Sequence, residues 1–254
     1  MVAGTRTFEA LVDEAARAPV GTWDFGWLDG RATEERPSWR FFDLVAARAG
    51  RVRSLLDIEC GVGHMLADLP SLPPLAVGVE AWPPSRRIAA PRFAARGAHL
   101  VAAAASALPL AGNSFDLVTS RHPVAPAWRE IARALRPGGT YLAQHVGPHS
   151  LRELAEFLRG PLGGSSHRDP ESERRAAVDA GLTVRDLRSE RTSVVFFDIG
   201  AVVYFLRLVV WTVPDFTVAR HRARLRDLHE VIVRDGRFET VSSRTLIEAV
   251  KAGE

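Results

Sequence analysis

Residues 55–64 read LLDIECGVGH. An apolar run breaks into two glycines separated by one residue, and a helical pattern follows. The run reads as a buried strand, and the glycines as a tight turn that lets a nucleotide-like ligand lie against bare main chain. A chain built around such a turn is directed toward an α/β fold with its ligand beyond the carboxyl end of a strand. One residue is out of place. Glu59 stands just before the glycines, where a small side chain is expected.

The pattern continues downstream. Strands are expected at residues 54–58, 76–80, 99–103, 115–120 and 141–146, with helical patterns between them. One of these helices, residues 127–136, should stop at Pro137-Gly138-Gly139. This alternation predicts parallel strands with helices on both faces. Before it lie helical patterns at 8–18 and about 39–49, separated by a polar and aromatic segment. After a Gly-Gly-Ser-Ser loop within 161–170 come a helix, a strand at about 183–195, two helices and a last strand near 240–250. The helix at 217–235 carries Leu225, Leu228, Val231 and Ile232 as one apolar stripe. There are no internal repeats.

Composition narrows the function classes. Of 254 residues 46% are hydrophobic, enough for a real core. The 33 basic residues include a single lysine, Lys251, and the arginines are spread among 30 acids for a net charge of +3. Despite a pI near 9.7, this dispersed pattern argues against a nucleic-acid partner. The longest apolar run, residues 199–213, holds Arg207 and is shorter than the roughly 20 residues a membrane span needs. It reads as a buried helix. No secretory leader is visible at the start, and the lone Cys60 excludes an intrachain disulfide, so a cytoplasmic protein is expected. No histidine spacing suggests a metal site, and none is expected.

Glu80 ends the second strand of the alternating region, where an acid can accept bonds from two ribose hydroxyls. Positions 66 and 67 are leucine and alanine, which departs from the strict nicotinamide fingerprint. Three further features point to another nucleoside: Asp57 within the first strand, LPLAGNSFDLV at 108–118 and LRPGG at 135–139. Over about 54–146 the chain resembles class I S-adenosylmethionine (SAM)-dependent methyltransferases. The segments GWLDGRATEERPSW, VEAWPPS, FDLVTSRH and FFDIGAVVYFL extend the likeness to a group of bacterial methyltransferase-like proteins of mostly unassigned substrate.

The resemblance implies a Rossmann-like sheet of seven strands, mostly parallel with an antiparallel last strand. It also implies a helical N-terminal lid over 1–53, and an α/β domain over 54–254 with a helical cap at about 199–235. SAM is the implied cofactor, with Asp57, Glu59, Gly61, Gly63, Glu80 and Ser106 about it. Ser106 would replace the acid that many members place four residues before the Leu-Pro, where this chain has Ala104. Glu59 would pair with the ammonium of SAM, or with Arg31 or Arg36. His122 and His145, at the ends of the fourth and fifth strands, are the candidate proton acceptors.

Trp23, Trp27, Arg31, Arg121 and Tyr204 are the candidate substrate contacts, with Phe25, Trp39 and Arg36 completing an aromatic lid. The expected activity is methyl transfer to oxygen or nitrogen of a small molecule, in secondary metabolism. The alternative keeps the fold without SAM, for elimination or ring closure in natural-product biosynthesis. A homodimer or a pathway partner subunit stays open.

Overall fold

The computed structural model describes residues 6–21, 25–163 and 168–253. In chain order the elements are α1 (Phe8–Arg17), β1 (Ala32–Glu34), α2 (Phe41–Ala49), β2 (Ser54–Ile58), α3 (His64–Asp68), β3 (Leu75–Val79), α4 (Pro83–Arg96) and β4 (His99–Val101). There follow β5 (Phe115–Arg121), α5 (Trp128–Ala134), β6 (Leu135–Val146), α6 (Arg152–Arg159), α7 (Pro170–Asp179), β7 (Leu182–Phe196), α8 (Ile199–Leu208), α9 (Val218–Asp235) and β8 (Phe238–Lys251).

The strand order is β1-β7-β8-β6-β5-β2-β3-β4. β2 pairs in parallel with β3 and β5, β3 with β4, and β5 with β6, while β8 runs antiparallel to β6. The α/β sheet expected from the sequence is present, with its last strand antiparallel. It has eight strands because the three-residue β1 adds to β7. After β2 the chain moves outward to β3 and β4, then returns to the other side of β2 for β5 and β6. The order therefore reverses at β2–β5, and a crevice is expected beyond the carboxyl ends of these two strands.

The chain divides into two compact units. The first comprises 1–36, 149–165 and 191–242, the second 37–148, 166–190 and 243–254. In the second unit each sheet face has its own core. Leu55, Leu117, Leu142 and Leu246 pack with α2, α3 and α4 through Phe41, Val45, Leu66 and Phe93. Leu56, Val118, Tyr141, Ala143 and Ile247 pack with α5 and α7 through Ile131 and Ala177. These two sets are alternate residues of the same strands, as a pleat requires.

LRPGG departs from the expectation. α5 ends at Ala134 and β6 starts at Leu135. A Cβ at Gly139 would lie 2.9 Å from both Arg136 O and Phe115 O, so this glycine lets the strands close up where β5 and β6 slip register.

The first unit has a separate core, including Leu11, Leu154, Phe196, Val202, Leu225 and Leu228. α1, α8 and α9 of this unit start on side-chain caps: Thr7 accepts from Ala10 N, Asp198 from Ala201 N and Thr217 from Arg220 N. Arg207 is satisfied inside this unit, where its guanidinium donates to the carbonyls of Ala15 and Ala18 at the end of α1. Among the described residues, no helix is long and apolar enough to cross a membrane.

Candidate active site

β2 is buried along its whole length and delivers the chain to the turn at residues 59–63. Three residues there have positive φ: Glu59 (57°), Gly61 (56°) and Gly63 (84°). The two glycines serve different ends. A Cβ on Gly61 would meet nothing within 4 Å, whereas one on Gly63 would lie 2.6 Å from Phe93 Cε1. Gly63 is bare so that α4 can pack against the turn. Gly61 is bare toward open space.

Glu80 follows β3 and closes the turn from the side. One carboxylate oxygen accepts from Gly61 N at 2.8 Å, the other from Trp82 N at 2.7 Å. Asp57 is 3% exposed and accepts from Thr119 Oγ1 at 2.8 Å. Burial pushes its carboxyl up from 3.8 to about 7, against the Thr119 bond and the Arg121 charge. Burial also raises the Cys60 thiol, with Asp57 and Glu80 adding to the effect. Ser106 lies exposed in the loop after β4.

Glu59 has an identifiable partner. Its carboxylate accepts from Val124 N at 2.8 Å and so ties the turn to the loop after β5. Burial raises its pKa, partly offset by that bond. Within the first unit, Arg31 binds Asp198 at 3.0 Å and Glu14 at 3.3 Å. Arg36 is exposed.

Two histidines sit at the carboxyl edge of the sheet, each locked by its neighbours. Trp39 Nε1 donates to Gln144 Oε1 at 2.8 Å. Indole nitrogen can only donate, so Gln144 must turn its amide nitrogen the other way. That nitrogen lies 3.0 Å from His122 Nε2, which must therefore accept. His122 is thus neutral with its proton on Nδ1. Its pKa lies well below the ordinary value because of burial, then Arg244, Arg121, His145 and Arg168.

His145 is 1% exposed. Its Nδ1 lies 2.5 Å from Glu173 Oε2 and its Nε2 3.0 Å from Tyr141 OH. In the neutral ring the carboxylate places the proton on Nδ1, and Tyr141 donates to Nε2. Trp128 packs edge-on against Tyr141 at 5.5 Å. His145, Glu173, Arg168 and residues 123–126 line a cavity of about 110 Å³.

The aromatic residues of the N-terminal region fall in both units. Trp27 stacks on Tyr204 at 4.6 Å, with the Arg31 guanidinium 3.9 Å above the indole, all within the first unit. Trp39 belongs to the second unit and anchors Gln144. Trp23 lies outside the described residues. Sequence reasoning missed Gln144, Glu173, Arg168 and Arg244. For Gln144 a signal existed: a glutamine beside a histidine at the end of an otherwise apolar strand.

A sequence profile described as a methyltransferase domain matches residues 56–143. A demethylmenaquinone methyltransferase of Roseiflexus castenholzii is 36% identical over 116 residues, 42% of this chain and 49% of that protein. A malonyl-[acyl-carrier protein] O-methyltransferase of Dechloromonas aromatica is 31% identical over 199 residues, 73% of this chain and 71% of that protein. The chain thus spans about half the length of the first relative and nearly three quarters of the second. The solved structure of YcgJ from Bacillus subtilis superposes with a TM-score of 0.61 at 18% identity, over 85% of this chain and all of that one. At that identity the likeness is one of fold.

Proposed function

The chain belongs to the class I SAM-dependent methyltransferase superfamily, and from that premise we propose that it transfers a methyl group from SAM to oxygen or nitrogen of a small molecule. When bound, SAM supplies an electrophilic methyl group on a sulfonium. The observation that carries this reading is the open main chain at Gly61 with the Glu80 carboxylate beside it, next to the reversal in strand order.

A carboxylate offers about four acceptor positions, and the Gly61 and Trp82 amides occupy two. Those remaining suit the two hydroxyls of a ribose, so Glu80 can brace the turn and hold the sugar at once. Asp57 stiffens the base of the turn through Thr119. Glu59 holds residues 123–126 by the Val124 amide, and its charge suits the ammonium of the cofactor. Gly63 and Ser106 complete the expected cofactor contacts, Gly63 by letting α4 seat the turn.

Methyl transfer by in-line attack needs mainly alignment. His122 and His145 already have their Nε2 atoms occupied, so they serve here to hold the acceptor's surroundings in place. Arg121 is the substrate contact nearest this edge. Trp27, Arg31 and Tyr204 build one stack within the first unit, and we keep them as candidate substrate contacts. The relatives named above act on a menaquinone precursor and a carrier-bound malonyl group, and an acceptor outside either class, in secondary metabolism, remains part of this reading. A cytoplasmic setting fits the single cysteine.

Calorimetric titration of the full chain with SAM tests the proposal. Saturable binding in the micromolar range is expected, and absence of heat at millimolar SAM overturns it. One observation favours a second reading, a methyltransferase-fold enzyme of elimination or ring closure without SAM: the carboxylate of Glu59 sits in the turn itself. A chain that binds no SAM, yet converts a pathway intermediate, would establish that reading.

A further inference from the structure

A buried line of hydrogen bonds in the second unit ends at a cavity. Tyr141 is fully buried, and burial holds its phenol well above the ordinary range, so the hydroxyl keeps its proton. That hydroxyl donates to His145 Nε2 at 3.0 Å, and His145 Nδ1–H donates to Glu173 Oε2 at 2.5 Å. Imidazole and carboxylate are thereby fixed in place before any ligand arrives.

Glu173 is where this line meets open space. It lines the cavity of about 110 Å³ with His145, Arg168 and residues 123–126. A carboxylate offers about four acceptor positions. His145 takes one, and among the described residues no other group donates to this carboxylate. The opposite wall is apolar: Pro123, Val124, Ala125 and Pro126. Glu59 of the glycine turn accepts from the Val124 amide, so the turn and the cavity share this segment.

We propose that the cavity holds a hydroxyl group of the methyl acceptor, carried on a short aliphatic stem, with the hydroxyl donating to Glu173. The inference rests on the methyltransferase reading and adds to it a binding residue, Glu173, and a class of acceptor, an alcohol. His145 and Tyr141 become the positioning residues of that carboxylate.

Size and charge select the class. A cavity of about 150 Å³ admits benzene, so this smaller one takes a group of a few heavy atoms. Its lining holds one acid and one cation, Glu173 and Arg168, which sense each other's charge. A neutral guest leaves that balance intact, whereas an ionic one brings a charge into a confined space without its own partner. A hydroxyl gives the carboxylate a charge-assisted bond and rests its stem against the prolines.

The test uses the full chain without SAM, titrated with propan-2-ol and, separately, with acetone. The two share one heavy-atom skeleton, but acetone has no proton to donate. Nuclear magnetic resonance follows the Val124 and Ala125 amides and the His145 ring. Saturable shifts with propan-2-ol are expected in the millimolar range. Acetone should bind about tenfold more weakly, in line with loss of a hydrogen bond to a charged group. In Glu173→Gln the amide oxygen serves His145 Nδ1–H and the NH₂ group is left toward the cavity, which cannot accept. That variant should lose the preference for the alcohol.

No saturation with propan-2-ol, equal affinity for the two probes, or an undiminished preference in Glu173→Gln overturns the inference. The comparison of probes on the wild-type chain holds even if the variant fails to fold. Separate titration with SAM keeps the two readings apart. A chain that binds SAM without preferring the alcohol loses only the hydroxyl site, whereas one that prefers the alcohol and binds no SAM loses only the methyltransferase assignment.

Discussion

The carboxylate of Glu59 lies 2.8 Å from the amide nitrogen of Val124, while its own backbone has a φ of 57°. The left-handed conformation costs a non-glycine residue about 1–2 kcal/mol, and burial penalises the charge further. Glu59→Gly removes both costs along with one hydrogen bond. Chemical denaturation should show a gain of about 1 kcal/mol. Glu59→Gln keeps an acceptor for Val124 but drops the charge. If the carboxylate meets the ammonium of SAM, the glutamine variant should bind SAM about tenfold more weakly, a charge-assisted bond being worth about 1.5–3 kcal/mol. Equal affinity in the two proteins would remove Glu59 from the cofactor contacts.

Asp57 makes stability depend on pH. Its native pKa of about 7 exceeds the ordinary 3.8, so between these values the native state holds a proton that the unfolded state has released. Unfolding free energy from this group therefore falls as pH rises through that window, by a few kcal/mol at most. Asp57→Asn retains an oxygen for the Thr119 hydroxyl and cannot ionise. The stability of the variant relative to wild type should grow from about pH 4 to about pH 7 and then level off. A difference independent of pH would mean that Asp57 is ionised throughout.

Local patterns made the sheet legible. Residues 54–58 alternate between two buried faces, and β2 has those bounds. The Pro-Gly-Gly of LRPGG reads as the stop of a helix at 127–136, but strand pairing claims these residues because Gly139 tolerates the close approach of Phe115 and Arg136. Glu80 was readable because its role depends on its place at the end of a strand. The Trp39–Gln144 bond was not, since it joins residues 105 apart through orientation alone. Glu173 likewise lies on a polar helix and is distinguished only by its contact with His145. Trp27 and Trp39 are both aromatic residues of the N-terminal region, yet only the fold assigns one to a stack with Tyr204 and the other to a glutamine.

The two glycines of the turn should respond differently to alanine. At Gly61 the new methyl meets open space, so the cost is the left-handed backbone, about 1–2 kcal/mol. At Gly63 the methyl also collides with Phe93 and Ala89, which adds about 1–3 kcal/mol of overpacking. Thermal unfolding should therefore show the larger loss for Gly63→Ala. SAM titration should show the larger effect, relative to stability, for Gly61→Ala, because that methyl enters the space left for the ligand. A Gly61→Ala protein with wild-type SAM affinity would mean that the cofactor does not lie against this peptide.

Glu80 bears on both stability and binding, and the two can be separated. Glutamine in its place has one oxygen for the two amides of Gly61 and Trp82, so one N–H faces an NH₂ group, at a cost of about 1–3 kcal/mol. That loss appears in thermal unfolding without ligand. The sugar contact is read by comparing adenosine with 2′,3′-dideoxyadenosine in calorimetric titrations. If the free acceptor positions of Glu80 hold the ribose hydroxyls, the wild-type chain prefers adenosine by about tenfold or more, the value of one to two charge-assisted bonds. The Glu80→Gln protein should lose most of that preference at temperatures where it remains folded. A wild-type chain indifferent to the hydroxyls would confine Glu80 to bracing the turn.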